Sequence, residues 1–98
     1  MCNIDYLVYD IESPNGRNIC EFGYVVADEN FKIIEKGVFT INPEAKFCLE
    51  GRTGRPDVTL FFPYATYYNS PKFPHYYSKI RELFQRDNQM IIGFSVNN

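Results

Sequence analysis

Asp10 and Glu12 are the residues whose type and spacing suggest chemistry. They stand two apart at the end of an apolar run, Tyr6-Leu7-Val8-Tyr9. Side chains alternate along an extended strand, so both carboxylates project from one face, with Cβ atoms about 7 Å apart. Two carboxylates on a buried strand repel each other and are costly to desolvate unless a cation or hydrogen-bond donors lie between them. Oxygen-only ligation favours Mg²⁺ or Mn²⁺. A solvated strand end that binds nothing fits the same pair, and the spacing alone leaves both readings open.

Other segments offer weaker patterns. Gly51-Arg52-Thr53-Gly54-Arg55 either presents Arg52, Arg55 and backbone N–H groups to phosphates or is a solvated loop. It lacks the Gly-Lys-Ser/Thr ending of a P-loop. Phe61, Phe62, Tyr64, Tyr67 and Tyr68 either stack on bases, as in single-strand binders, or pack against the helix or the sheet. His75, the single histidine, falls in the first turn of a helix and reads as a surface residue. Cys2, Cys20 and Cys48 are odd in number, with no C-x-x-C spacing and no neighbouring histidine, which excludes a disulfide framework and a zinc site. Free thiols fit a reducing cytoplasm, and Cys20 reads as a small buried hydrophobe.

Composition bounds the setting. The chain has 98 residues, 45% hydrophobic and 22% charged, which implies one small globular domain and excludes a disordered chain. No run approaches 18 apolar residues, and the start lacks the basic and apolar regions of a signal peptide. The expectation is therefore a cytoplasmic protein with no membrane partner. A net charge of -2 excludes a strongly basic nucleic-acid binder but permits a local basic patch. Residues 1–50 carry nine acidic and four basic side chains, residues 51–98 three and six. That asymmetry fits a carboxylate site beside a polyanion path, and it fits ordinary surface mixing equally.

The elements that must position Asp10 and Glu12 follow from pattern. Ile4 to Ile11 reads as a buried central strand, closed by the turn Ser13-Pro14-Asn15-Gly16. Ile19 to Ala27 and Lys32 to Ile41 read as two further strands, separated by the turn Asp28-Glu29-Asn30, with Asn42-Pro43 as a stop. Short turns make the three an antiparallel meander. Residues 44 to 72 are the least periodic and read as a long ordered loop with short pieces. Phe73, Tyr76, Tyr77, Ile80, Leu83 and Phe84 form one apolar helical face, with Pro74 in the first turn and Asp87-Asn88 as the end. Met90 to Val96 is a fourth buried strand, placed parallel to the first by a right-handed crossover. One helix covers one sheet face, so the other face lacks a cover.

Taken together these segments resemble the start of the DEDD-type 3′–5′ exonucleases, the superfamily of RNase T and of the epsilon proofreading subunit of bacterial DNA polymerase III. The family opens with a strand ending in D-x-E, here Asp10-Ile11-Glu12. An "I-I-E-I-G-A-V" strand follows, here Ile19-Cys20-Glu21-Phe22-Gly23-Tyr24-Val25-Val26. The third strand ends in "N-P", here Asn42-Pro43, and Met90 to Asn98 looks like the approach to the family's "G-H-N-x-x-F-D" segment. Residues 44–72 match poorly. Ser13 replaces the usual Thr, one extra residue precedes Gly16, and Phe94 stands where the family often has His.

The resemblance implies an α/β fold, the β-β-β-α-β N-terminal part of a ribonuclease-H-like domain, with three antiparallel strands and a parallel fourth. It implies a nuclease that hydrolyses phosphodiester bonds at DNA or RNA 3′ ends with two divalent ions, Mg²⁺ or Mn²⁺. Asp10 and Glu12 would be the first two of four acidic ligands, Ser13 beside them a candidate substrate contact, and Glu21 either structural or a support behind the ligands. Arg52 and Arg55, offered by their loop and not by the resemblance, are the other candidate substrate contacts. By the family pattern the third ligand falls just after Asn98, and the fourth, with the His or Tyr that handles the water proton, lies further on. Residues 1–98 thus read as a single partial domain, truncated after the fourth strand and inactive alone. The uncovered sheet face implies self-association as a dimer, through positions such as Leu7, Tyr9, Ile91 and Gly93; the alternative is that the aromatic loop 60–68 folds back over it as a lid. A non-catalytic module that binds nucleic acid or protein on the same fold is the alternative. A D-x-D phosphatase is disfavoured by Glu12 and by the lack of a Thr-rich motif.

Overall fold

A computed structural model describes residues 3–47 and 62–94. The elements are β1 (Asp5–Glu12), β2 (Glu21–Ala27), β3 (Ile33–Thr40), α1 (Tyr64–Tyr68), α2 (Phe73–Phe84) and β4 (Gln89–Phe94). They form an α/β unit around one mixed sheet of order β3-β2-β1-β4. β1 pairs antiparallel with β2 and parallel with β4, as the strand–helix–strand pattern requires. α1 lies inside the stretch read as irregular. Tyr64, Tyr67 and Tyr68 have the i, i+3, i+4 spacing of a helical turn, too brief to stand out as a period.

The strands turn where their sequences permit. After β1, the Ser13 hydroxyl accepts the N–H of Gly16 at 2.7 Å and of Asn15 at 3.2 Å. Asn15 Oδ1 then accepts the N–H groups of Arg17 and Asn18. Gly16 takes the left-handed conformation, φ 82°, that this loop needs and that a Cβ disfavours. Between β2 and β3, Asp28 Oδ1 accepts the N–H groups of Asn30 and Lys32 in an Asx-type turn.

The core lies between the sheet and α2. Leu7, Phe22, Val26, Ile41 and Leu83 are buried there, with Tyr9, Phe39, Tyr76, Ile80 and Phe84 packed around them. Tyr9 meets Phe84 edge-on at 5.1 Å, and Phe39 stacks on Tyr76 at 4.8 Å. Two glycines admit these rings: a Cβ on Gly93 would stand 2.7 Å from the Tyr9 ring, and one on Gly37 2.8 Å from the Tyr24 ring. The helix period therefore faces the sheet as expected, except at Tyr77, which is exposed.

The face away from α2 is open except at the strand end, where Tyr67 of α1 packs against it, and its open residues are not the ones expected from the sequence. Leu7 and Tyr9 belong to the face under α2. The open face carries the other parity, and Val38 (58% exposed), Met90 (52%) and Phe94 (62%) lie on it. Which parity turns inward depends on where the crossover helix lands, and alternation alone does not specify that. Tyr6, on the open face, is partly sheltered by Phe31, which stacks on it at 5.1 Å. Among the described residues no helix is long and apolar enough to cross a membrane.

At the β3 edge an ionic cluster ties α2 to the sheet. Glu35 accepts from Lys79 Nζ at 3.0 Å, from Arg86 Nη1 at 2.8 Å and from the Tyr24 hydroxyl at 2.9 Å. Hydrogen bonds from Arg86 and Lys79 hold the Glu35 carboxyl down at about 2. A depressed carboxylate stabilises the fold fully above its ordinary value of 4.5 and loses that contribution as the pH falls toward 2. Glu35→Gln is therefore expected to cost about 1–2 kcal/mol at pH 7, given partial solvent screening. The gap to the unsubstituted chain should close between pH 4.5 and 2, read by urea unfolding at each pH.

Candidate metal centre

β1 carries Asp10 and Glu12 to one end of the sheet centre. Its pairing with β2 runs without a bulge through Asp10↔Gly23, Ile11↔Phe22 and Glu12↔Glu21. Uninterrupted pairing keeps the alternation, so Asp10, Glu12, Gly23 and Glu21 share the face away from α2. Asp10 is exposed and Glu12 half-buried. Phe94 of β4 flanks Asp10 on its other side.

Gly23 leaves a notch beside Asp10. A Cβ built on Gly23 would meet just Val38 Cγ2, at 3.9 Å. The Asp10 carboxylate is thus approachable from the β2 side as well as from above. Two hard oxygen donors in an open setting suit a divalent cation that keeps most of its waters. Among the described residues, no three His, Cys, Asp or Glu side chains converge on one point.

One row further toward the strand end, Glu12, Glu21 and Thr40 lie side by side across β1, β2 and β3. Here α1 and the turn after it close over the sheet. The Tyr67 hydroxyl donates to Glu21 Oε1 at 2.7 Å, and the Ser70 hydroxyl pairs with Thr40 Oγ1 at 2.8 Å. Asn42, of the Asn-Pro stop, donates its side-chain amide to the Tyr68 carbonyl and its N–H to the Pro71 carbonyl. The Tyr68 hydroxyl donates to the Ala45 carbonyl at 2.8 Å. Tyr67 is fully buried and Glu21 nearly so. Burial first, and the Glu21 carboxylate second, push the Tyr67 phenol well above its ordinary value, so it stays a donor.

Asp10 and Glu12 come together on one face. Ser13 follows them immediately, and its hydroxyl serves the turn. Arg52 and Arg55 lie outside the described residues, as do Cys2, Cys48, Phe61 and the segment 95–98. His75 is exposed on α2, as expected. Tyr67 is a packing residue, while Phe62, Tyr64 and Tyr68 keep substantial exposure. Cys20 is a buried free thiol, pushed up to about 12 by burial and then by Glu21 and Glu12. The Glu21–Tyr67 pair was not anticipated; its signal was one carboxylate inside the apolar run from Ile19 to Ala27.

The fold is shared with a nuclease. The chain is similar to the crystal structure of cell-death related nuclease 4, with a TM-score of 0.60 and 16% sequence identity. The similarity covers 93% of this chain and 35% of that one, so the chain spans about a third of that nuclease's length. No protein-family model matches the chain, and no curated protein matches it. At this identity the likeness establishes the α/β architecture, in line with the ribonuclease-H-like start read from the sequence.

If the notch beside Asp10 is open, Gly23→Ala is tolerated. The added methyl has room, and alanine in a strand interior is favoured over glycine by about 0.5–1 kcal/mol. Equal or higher stability in urea unfolding is the expected result; a loss above about 1 kcal/mol would show the notch to be filled.

Proposed function

We propose that this chain forms the first part of a divalent-metal-dependent 3′–5′ exonuclease, acting on DNA or RNA 3′ ends and releasing nucleoside monophosphates. The observation that carries the reading is the position of Asp10 and Glu12. They share one face at the end of the central strand, in a fold common to this chain and a nuclease. Asp10 and Glu12 would hold Mg²⁺ or Mn²⁺, which when bound would offset phosphate charge and acidify a water. Asp10, exposed and flanked by the Gly23 notch, accepts the cation from solvent. Glu12, half-buried one step on, fixes it against the strand end. Ser13 keeps the loop after β1 compact beside them, and Arg52 and Arg55 are assigned to phosphate contacts.

Two carboxylates supply a minority of six ligands, so this chain alone is a partial domain that binds the ion weakly and cuts nothing. A cytoplasmic setting suits the free thiol of Cys20. The test uses a longer protein that contains this chain, with a 5′-labelled oligonucleotide. Stepwise shortening from the 3′ end, blocked by EDTA, is expected. Asp10→Asn and Glu12→Gln should each lower the rate at least about a hundredfold, as loss of several kcal/mol of charge stabilisation requires. Internal cleavage, or full activity in Asp10→Asn, would sink the reading.

The chain by itself is proposed to pair with a second copy through the open sheet face. That face presents Val38, Met90, Ile92 and Phe94, and β4 is the sheet's edge beside them. Exposed apolar area together with an unpaired strand edge favours a symmetric partner. Sedimentation at micromolar concentration should show a dimer, and a folded monomer across the range would reject it.

A further inference from the structure

We propose that the Phe31–Tyr6 aromatic pair is a docking surface for a protein segment that is apolar and positively charged. It lies at the end of the sheet away from Asp10 and Glu12 and does not depend on the cation reading. Phe31 stands in the β2–β3 hairpin with φ 63°, in the left-handed region. A bulky side chain is an outlier there, and glycine or asparagine makes the same turn with less strain. The hairpin nevertheless enforces the conformation. The Phe31 N–H donates to the Asp28 carbonyl at 2.9 Å and the Asp28 N–H to the Lys32 carbonyl at 2.8 Å. Asp28 Oδ1 accepts the N–H groups on either side, of Asn30 and Lys32. Backbone strain held in place by surrounding bonds is a sign that the side chain it carries is used.

That side chain does not serve the core. Phe31 is 72% exposed, the most exposed large hydrophobic among the described residues. Its ring stacks on Tyr6 at 5.1 Å, with the planes 28° apart. Tyr6, Ala27 and Ile33 are successive partners across β1, β2 and β3, so they share the open face. Ile33 is exposed there, as is Ile4 two residues before Tyr6. A stiff aromatic pair beside exposed aliphatic side chains has the composition of an interface anchor.

Charge selects the partner. The same strand end carries four carboxylates: Asp5 opens β1, Asp28 and Glu29 turn β2 into β3, and Asp87 lies two residues before β4. Lys32 is the basic residue of the hairpin, and Arg86 is engaged by Glu35 and Glu82. An acidic rim repels nucleic-acid phosphates. A second copy docked symmetrically here would bring one rim against the other. A segment with Lys or Arg flanking apolar side chains satisfies both the aromatic centre and the rim.

The experiment titrates the full 98-residue chain with a synthetic amphipathic peptide of leucine and lysine, read by amide NMR shifts. Shifts at Tyr6, Phe31 and Ile33, none at Asp10, and weaker binding as salt rises are expected. The same peptide with glutamate in place of lysine should not bind. Phe31→Asn suits the left-handed turn, so it should leave the urea midpoint level or higher while weakening the peptide at least about tenfold. Shifts absent or centred elsewhere, equal binding of the glutamate peptide, or a folded Phe31→Asn that binds as tightly would each overturn the inference. A dimer that Phe31→Asn converts to a monomer, with no peptide bound, assigns the surface to a second copy and overturns it too. The shift map and the glutamate peptide need no variant to fold.

Discussion

β1 is hydrogen-bonded along both edges, antiparallel to β2 and parallel to β4, and the rest of the molecule depends on that double pairing. A strand held on both sides cannot slip by one residue without moving its whole apolar set to the wrong face. Leu7 and Tyr9 are thereby fixed under α2, and Asp10 and Glu12 on the opposite face. The carboxylates owe their position to packing on the other side of the sheet. Polar chemistry at the strand end is set by hydrophobic burial at its middle.

The two faces of the sheet do different work. The α2 side is a continuous aromatic and aliphatic layer in which Phe22 contacts Tyr9, Tyr24, Phe39 and Phe84. The ionic cluster around Glu35 then pins the outer side of α2 to β3. The far side is polar and aromatic near the strand end, where α1 closes over Glu21 and Ser70 of the following turn over Thr40, and apolar and open elsewhere. A carboxylate pair at the margin between a closed and an open region is accessible to ions yet backed by fixed structure.

The Asn-Pro stop after β3 shows how a small local signal is reused. The bonding to the β2 side reaches Ile41, whose N–H donates to the Cys20 carbonyl, two residues before Pro43. The asparagine before it then binds the backbone at both ends of the turn joining α1 to α2. The same residues that terminate a strand thus place the helix that carries Tyr67. Through Tyr67 the placement reaches Glu21, and through the β1–β2 register it reaches Glu12.

Much of this was legible in the residues alone. Four strands, their order of pairing and the α2 helix follow from period, turn chemistry and the length of the crossover, all of which are local. Asp10 and Glu12 were legible because their spacing matches the strand period. The Ser13-Asn15-Gly16 turn and the Asx turn at Asp28 were legible because short polar side chains serve their own backbone. Three features required the tertiary structure. The parity of β1 that faces α2 depends on where a helix lands more than 60 residues later in the chain. The helix α1 is one turn long and exists through its contacts with the sheet. The Glu21–Tyr67 bond joins residues 46 apart, and no local pattern encodes a partner at that distance. Periodicity reports what each segment prefers by itself; a buried carboxylate reports what must come to meet it, and the partner becomes visible only once the chain has closed.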